Sequence, residues 1–135
     1  MKQLISVLSV SLFLAACGGK SSPVNSGNSL PGTTTTFNVT ASHAPTSYTF
    51  NGTDNPTITL SRGLTYVFNL SVSGHPFYIM SVQGTNTGNA YSSGVTGNGN
   101  VTGQLIFAVP AGAPPTLFYN CSIHAAMTGQ INVVN

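Results

Sequence analysis

Charge is what this sequence most lacks. Only 3% of its 135 residues are charged, and the acidic side chains reduce to Asp54 alone. A soluble domain ordinarily carries about 25% charged residues, so a folded surface here must draw its polarity from Ser, Thr, Asn and Gly. The missing carboxylates exclude the paired acids of glycoside hydrolysis and the oxygen-rich cages that hold calcium or magnesium. They also remove the acid that orients the histidine of a Ser-His-Asp triad, Asp54 apart. Three basic residues without a cluster cannot supply the attraction on which nucleic-acid binding depends. Tryptophan is absent, and the cysteines are two, Cys17 and Cys121. Helical periodicity is missing throughout the chain. One long apolar run exists, Leu4 to Ala16, and it falls short of the roughly 20 residues needed to cross a bilayer.

That run has a different meaning. Met1-Lys2-Gln3 places a positive charge before it, the arrangement of a secretory signal peptide. It ends in Leu14-Ala15-Ala16-Cys17, which resembles the lipobox of bacterial lipoproteins. The resemblance implies cleavage before Cys17, diacylglycerol on its thiol and an acylated amino terminus. Several acyl chains anchor stably where a single one does not. Gly18 rather than Asp after the cysteine implies, by the same resemblance, passage to an outer membrane. Gly18 to Thr36 has almost nothing apolar to bury and reads as a flexible tether. The expected organisation is a signal peptide over 1–16, lipidated Cys17 with a linker over 17–36, and a folded domain over 37–135. The mature protein is expected to be exported and lipid-anchored to a bacterial membrane, the outer one favoured. It would face the periplasm or the cell surface. With Cys17 lipidated, Cys121 stands alone in an oxidising compartment, where a free thiol is a liability. Metal ligation is one reason to keep it.

From Phe37 onward the chain changes to short β-type runs separated by turn residues. These are Phe37–Ala41, Thr57–Leu60, Leu64–Val72, Phe77–Val82, Gly103–Val109, Thr116–Cys121 and Gln130–Val134. The spacing predicts an all-β, antiparallel Greek-key sandwich or barrel of about seven to eight strands. The Gly/Asn/Ser/Thr-rich stretch from Thr85 to Thr102 predicts a surface excursion with one short strand near Tyr91.

The chemistry lies in His75, Cys121, His124 and Met127. Near the C-terminus, Cys121-Ser122-Ile123-His124-Ala125-Ala126-Met127 places thiolate, imidazole and thioether at three-residue intervals on a loop between two β runs. One tight loop can aim all three at a common point. His75 lies upstream in Ser73-Gly74-His75-Pro76, at the turn between two other runs. Two imidazoles and a thiolate with a weak axial thioether form a blue-copper electron-transfer site. Zinc fits the set poorly, because a thioether is a weak zinc ligand and a fourth good donor is missing.

The Cys-x-x-His-x-x-Met spacing, the upstream His75, Tyr119 in the preceding strand and Gly129 opening the final one resemble a cupredoxin. The likeness is to the plastocyanin and amicyanin group and covers about Phe37 to Asn135. It implies one mononuclear type 1 copper held by His75, Cys121 and His124, with Met127 axial. It further implies an electron port at the His124 edge, ringed by Pro76, Ala125, Ala126 and Met127, where redox partner proteins dock on a monomeric domain. Many relatives carry Asn after the first histidine, tying the two ligand loops together. This chain has Pro76, which has no N–H to give; Asn120, Ser122 and Thr128 are the candidates for that support, and the sequence does not choose among them.

Two other uses of the same ligands stand beside electron transfer. One is a periplasmic copper chaperone or scavenger; the other is a non-catalytic surface β-sandwich. An enzyme is not expected, since a multicopper oxidase or nitrite reductase needs more histidines than the three present. His43 is read as an unpaired surface residue and Met80 as core.

Overall fold

The structure is a computed structural model and describes residues 34–135. The expected signal peptide, Cys17 and nearly all of the linker lie outside the described residues. Ten strands follow in order: β1 (Thr35–His43), β2 (Ser47–Phe50), β3 (Thr53–Asp54), β4 (Ile58–Ser61), β5 (Thr65–Ser71), β6 (Phe77–Met80), β7 (Val95–Thr96), β8 (Thr102–Ala108), β9 (Thr116–Cys121) and β10 (Thr128–Val134). A single turn of 3-10 helix covers Thr87–Asn89. No helix among the described residues is long and apolar enough to cross a membrane.

The strands form two sheets, β3-β2-β1-β5-β8-β7 and β4-β10-β9-β6. The all-β sandwich is as expected; three details differ. The expected antiparallel arrangement is mixed, because β1 runs parallel to β5 and β4 parallel to β10. Alternation along a strand says which side chains turn inward and nothing about the direction of its neighbour. The strand count exceeds the expected number because β3 and β7 are two residues long and β2 is an addition to the expected runs. Ser47-Tyr48-Thr49-Phe50 alternates polar and apolar, yet all four residues are buried. β1 also opens at Thr35, two residues before the expected run, by pairing Thr35 and Thr36 with Tyr66 and Val67.

Alternation elsewhere builds the core directly. Val39, Tyr66, Phe68, Leu70, Leu105 and Phe107 face inward from one sheet, and Leu60, Phe77, Ile79, Leu117, Tyr119 and Ile131 from the other. A fully buried side chain of this size contributes about 1.5–3 kcal/mol. The rings meet at close range: Phe50 on Tyr119 at 4.5 Å, Tyr48 on Phe77 at 5.1 Å, Phe37 on Phe68 at 5.2 Å. On the outer face, amides replace the missing ions. Asn69 Nδ2 donates to Asn38 Oδ1 and Gln104 Nε2 to Asn69 Oδ1, a ladder across β1, β5 and β8.

The segment after β6 is more than a surface excursion. Phe77 bridges Asn100, the Ile79 N–H donates to Asn98 Oδ1, and the Tyr91 N–H donates to the Ile79 carbonyl. The excursion therefore occupies the open edge of β6, while its own short strand, Val95–Thr96, extends the other sheet beside β8. Ala90, next to Tyr91, makes only an isolated bridge to Met80. Met80 is buried as expected, although it faces away from the main core cluster.

Gly129 earns its place through Tyr119, its partner across β9 and β10. A Cβ at Gly129 would run into the Tyr119 phenol, whose hydroxyl donates to the Pro56 carbonyl at 2.7 Å. Gly129→Ala is therefore expected to destabilise the domain by about 1–3 kcal/mol through overpacking. Urea unfolding measures the loss. An unchanged midpoint would show that the ring moves aside freely.

Candidate metal centre

Strand pairing brings the two halves of the site to one end of the sandwich. β6 and β9 run antiparallel with Phe77 opposite Cys121, so the residues just before Phe77 meet those just after Cys121. His75 sits on a turn closed by its own N–H on the Val72 carbonyl at 2.8 Å. Gly74, with φ +79, supplies the left-handed corner of that turn. On the other side the chain leaves β9 at Cys121 and returns into β10 at Thr128. The Met127 N–H donates to the His124 carbonyl at 3.1 Å, and the Cys121 N–H to the Met127 carbonyl at 2.9 Å. The loop is thus closed on itself by its own backbone.

These turns converge three donor atoms. His75 Nδ1 lies 3.1 Å from His124 Nδ1, and Cys121 Sγ lies 3.9 Å from the same nitrogen. Histidine and cysteine donor atoms of this trio all fall within 4.8 Å of one another. Cys121 is fully buried while both histidines are half-buried. The Ile123 N–H points at Cys121 Sγ at 3.4 Å. No carboxylate joins the cluster. Two nitrogens and a sulfur closing on one point, with no acid among them, suit a soft or borderline metal ion.

Of the residues singled out in the sequence, His75, Cys121 and His124 are brought together. Met127 lies in the same loop with its side chain fully buried. It therefore does not form part of the rim expected around His124. Ile123, absent from that expectation, is 58% exposed. Ala125 and Ala126 are exposed and Pro76 is half-buried. Alternation could not have distinguished Ile123 from Met127, since both lie on a loop.

The loops are tied by residues that the sequence reading mostly missed. Ser122, one of the three candidates, makes the link through its backbone N–H on the Pro76 carbonyl at 3.3 Å. Asn120 and Thr128 bond to each other, hydroxyl to amide oxygen at 2.7 Å, and Asn120 also accepts from the Gly84 N–H. Two unforeseen residues act as well. The Tyr48 hydroxyl donates to the carbonyls of His75 at 2.7 Å and Pro76 at 3.1 Å. Asn55 Nδ2 donates to the Ala126 carbonyl at 2.9 Å. Burial, and after it the negative charge of Cys121, hold the Tyr48 phenol far above its ordinary value, so it remains a donor. Burial likewise raises Tyr119. The only sequence signal for Tyr48 was its alternation with Phe50.

His43 is paired, contrary to expectation. Its Nδ1 lies 2.7 Å from Asp54 Oδ2, and Thr49 Oγ1 donates to Asp54 Oδ1 at 2.7 Å. The partners are 11 residues apart and meet only because β2 and β3 fold back on β1. This cluster ties the β2–β3 hairpin to β1.

Comparison with solved structures follows from this geometry. The copper protein rusticyanin superposes with a TM-score of 0.52 at 24% identity, over 76% of this chain and 78% of its own. Reduced rusticyanin gives 0.51 at 24% identity, over 76% and 80%. The fold is that of a cupredoxin. No protein-family profile and no curated protein matches the chain by sequence. Within the cupredoxin sandwich, the His-Cys-His cluster sits at the end of β6 and β9, where their pairing leaves both loops free to converge.

The Thr49 hydroxyl, and then His43, hold the Asp54 carboxyl below its ordinary value. A lowered carboxylate pKa stabilises the fold above the unfolded value, about pH 4, and that contribution is lost as the pH falls through the folded value. Asp54→Asn is expected to lower the thermal midpoint at pH 7, and the gap from wild type should narrow towards pH 2.5. A gap that stays constant over this range would contradict the assignment.

Proposed function

We propose that this chain is a type 1 copper protein that carries single electrons between redox partners. His75, Cys121 and His124 would hold one copper ion, with the Met127 thioether as a weaker fourth donor. The observation that supports this best is the convergence of the two Nδ1 atoms and Cys121 Sγ within 4.8 Å on a cupredoxin fold. The donor chemistry fits, since thiolate and thioether favour Cu(I) while imidazole serves both oxidation states. Copper bound there would supply the Cu(I)/Cu(II) couple.

The chain's own residues do the rest. Cys121 gives up its proton on ligation, and the Ile123 N–H already faces the sulfur that must carry the charge. Both ligand loops hang from paired strands and close on backbone hydrogen bonds. The donors therefore have little freedom to rearrange between oxidation states. The half-buried His124, bordered by exposed Ile123, Ala125 and Ala126, would serve as the electron port. A partner would dock on this apolar rim without electrostatic steering, since the chain carries so little charge. Lipid on Cys17 would tether the domain to a bacterial membrane, and the linker would span on the order of 25 Å if it behaves as a flexible coil. The role is that of a carrier and not an enzyme.

Cu(II) added to the folded domain is expected to give an intense blue thiolate-to-copper band in wild type and none in Cys121→Ala. A wild type that binds no copper would overturn the proposal. Met127→Leu is expected to keep the blue colour and raise the reduction potential, because an apolar side chain in place of a donor disfavours the doubly charged Cu(II) more than the singly charged Cu(I). Voltammetry of the two proteins reads the shift, and equal potentials would remove Met127 from the ligand set.

A further inference from the structure

Pro76 leaves the His75 loop without a polar side chain or an N–H next to the histidine with which to grip its neighbour. Besides the Ser122 N–H on the Pro76 carbonyl, both loops are gripped by one hairpin at the side of the sandwich. Tyr48 on β2 reaches the His75 loop through its hydroxyl, donating to the carbonyls of His75 and Pro76. Asn55, just after β3, reaches the other loop through Nδ2 on the Ala126 carbonyl. These two residues are themselves joined twice. The Tyr48 N–H donates to Asn55 Oδ1 at 3.0 Å, and the Asn55 N–H to the Tyr48 carbonyl at 2.8 Å. Asn55 Nδ2 also donates to the Thr46 carbonyl at 3.1 Å, so the oxygen and the amide nitrogen of the side chain are both engaged. The residue stands at φ +41, a conformation that asparagine tolerates better than most side chains. A left-handed backbone at this position turns the amide towards the loop instead of continuing the strand. The hairpin is in turn fastened to β1 through Thr49, Asp54 and His43.

We infer that the Tyr48–Asn55 hairpin is the brace that sets the spacing of the two ligand loops, with Tyr48 and Asn55 as positioning residues for His75 and His124. This deepens the copper reading and rests on it for its purpose, while the brace itself is a property of the metal-free chain. Tyr48 holds the His75 side and Asn55 the His124 side. Because the two are doubly hydrogen-bonded to each other, a displacement of either loop is transmitted to the other through this pair as well as through the Ser122–Pro76 backbone bond. In effect the hairpin does from the flank what a polar residue at position 76 would do from within.

The test uses Asn55→Gly, which keeps the left-handed backbone and removes the amide, and Tyr48→Phe, which keeps the ring and removes the hydroxyl. Amide hydrogen exchange is followed on the metal-free proteins, and the visible spectrum on the copper-loaded ones. Asn55→Gly is expected to speed exchange in residues 122–128 on the order of tenfold, the loss of about one hydrogen bond, with β5 and β8 unchanged. Tyr48→Phe is expected to do the same around His75. In both variants the intensity ratio of the two thiolate-to-copper bands should move away from that of wild type. Unchanged loop exchange in both variants overturns the brace. So does a rise spread evenly over β5 and β8, which marks a merely structural role. A wild type that binds no copper sinks the metal reading alone, and the exchange comparison still decides whether the hairpin holds the loops.

Discussion

Everything at the candidate site depends on the antiparallel pairing of β6 with β9. The register that sets Phe77 opposite Cys121 decides that the loop before one strand and the loop after the other emerge at the same end. A slip of one residue would turn Cys121 to the outer face together with Tyr119 and Leu117. Their burial makes that slip expensive, since all three are fully inside. The hydrophobic core thus specifies where the donor atoms lie before any of them interacts with another.

The near absence of charge shapes how this arrangement is held. Among the described residues the ion pair of His43 with Asp54 stands alone, and it is exposed. Its work is done elsewhere by amides, hydroxyls and backbone. The ladder of Asn38, Asn69 and Gln104 knits three strands across one face. Asn55 and Tyr48 meet the ligand loops through carbonyl oxygens, which every residue offers whatever its side chain. Hydrogen bonds of this kind are directional and largely indifferent to ionic strength, so they suit a site whose task is to keep distances constant.

The cluster of His75, Cys121 and His124 was legible in sequence because the relevant residues are few and ordered. With only three histidines and one cysteine in the folded part, the spacing of Cys121, His124 and Met127 had little competition. The strand runs were legible from alternation at β1, β5 and β8, where one face is wet. β2 alternates as well, in Ser47-Tyr48-Thr49-Phe50, but both of its faces are covered, so the alternation does not mark a wet face. Nothing in that short run marks Tyr48 as a tie to the His75 loop. The pairing of His43 with Asp54 and the reach of Asn55 to Ala126, 71 residues away, depend on which elements become neighbours. The parallel pairings β1–β5 and β4–β10 are equally global, being set by how the chain crosses between sheets and not by any local run.

The way the sheets end has a consequence for the molecule in a crowd. A chain with so little charge cannot keep its copies apart by repulsion, and exposed strand edges invite them to stack. Here the edge strands β3 and β7 of one sheet are two residues long, while in the other β4 has four residues and β6 is capped along its edge by the Tyr91–Asn100 excursion. Colloidal stability is therefore built into the outline of the sandwich, in the place where most proteins rely on surface charge. An uncharged and apolar rim can then stay exposed around His124 without the domains adhering to one another through their backbones.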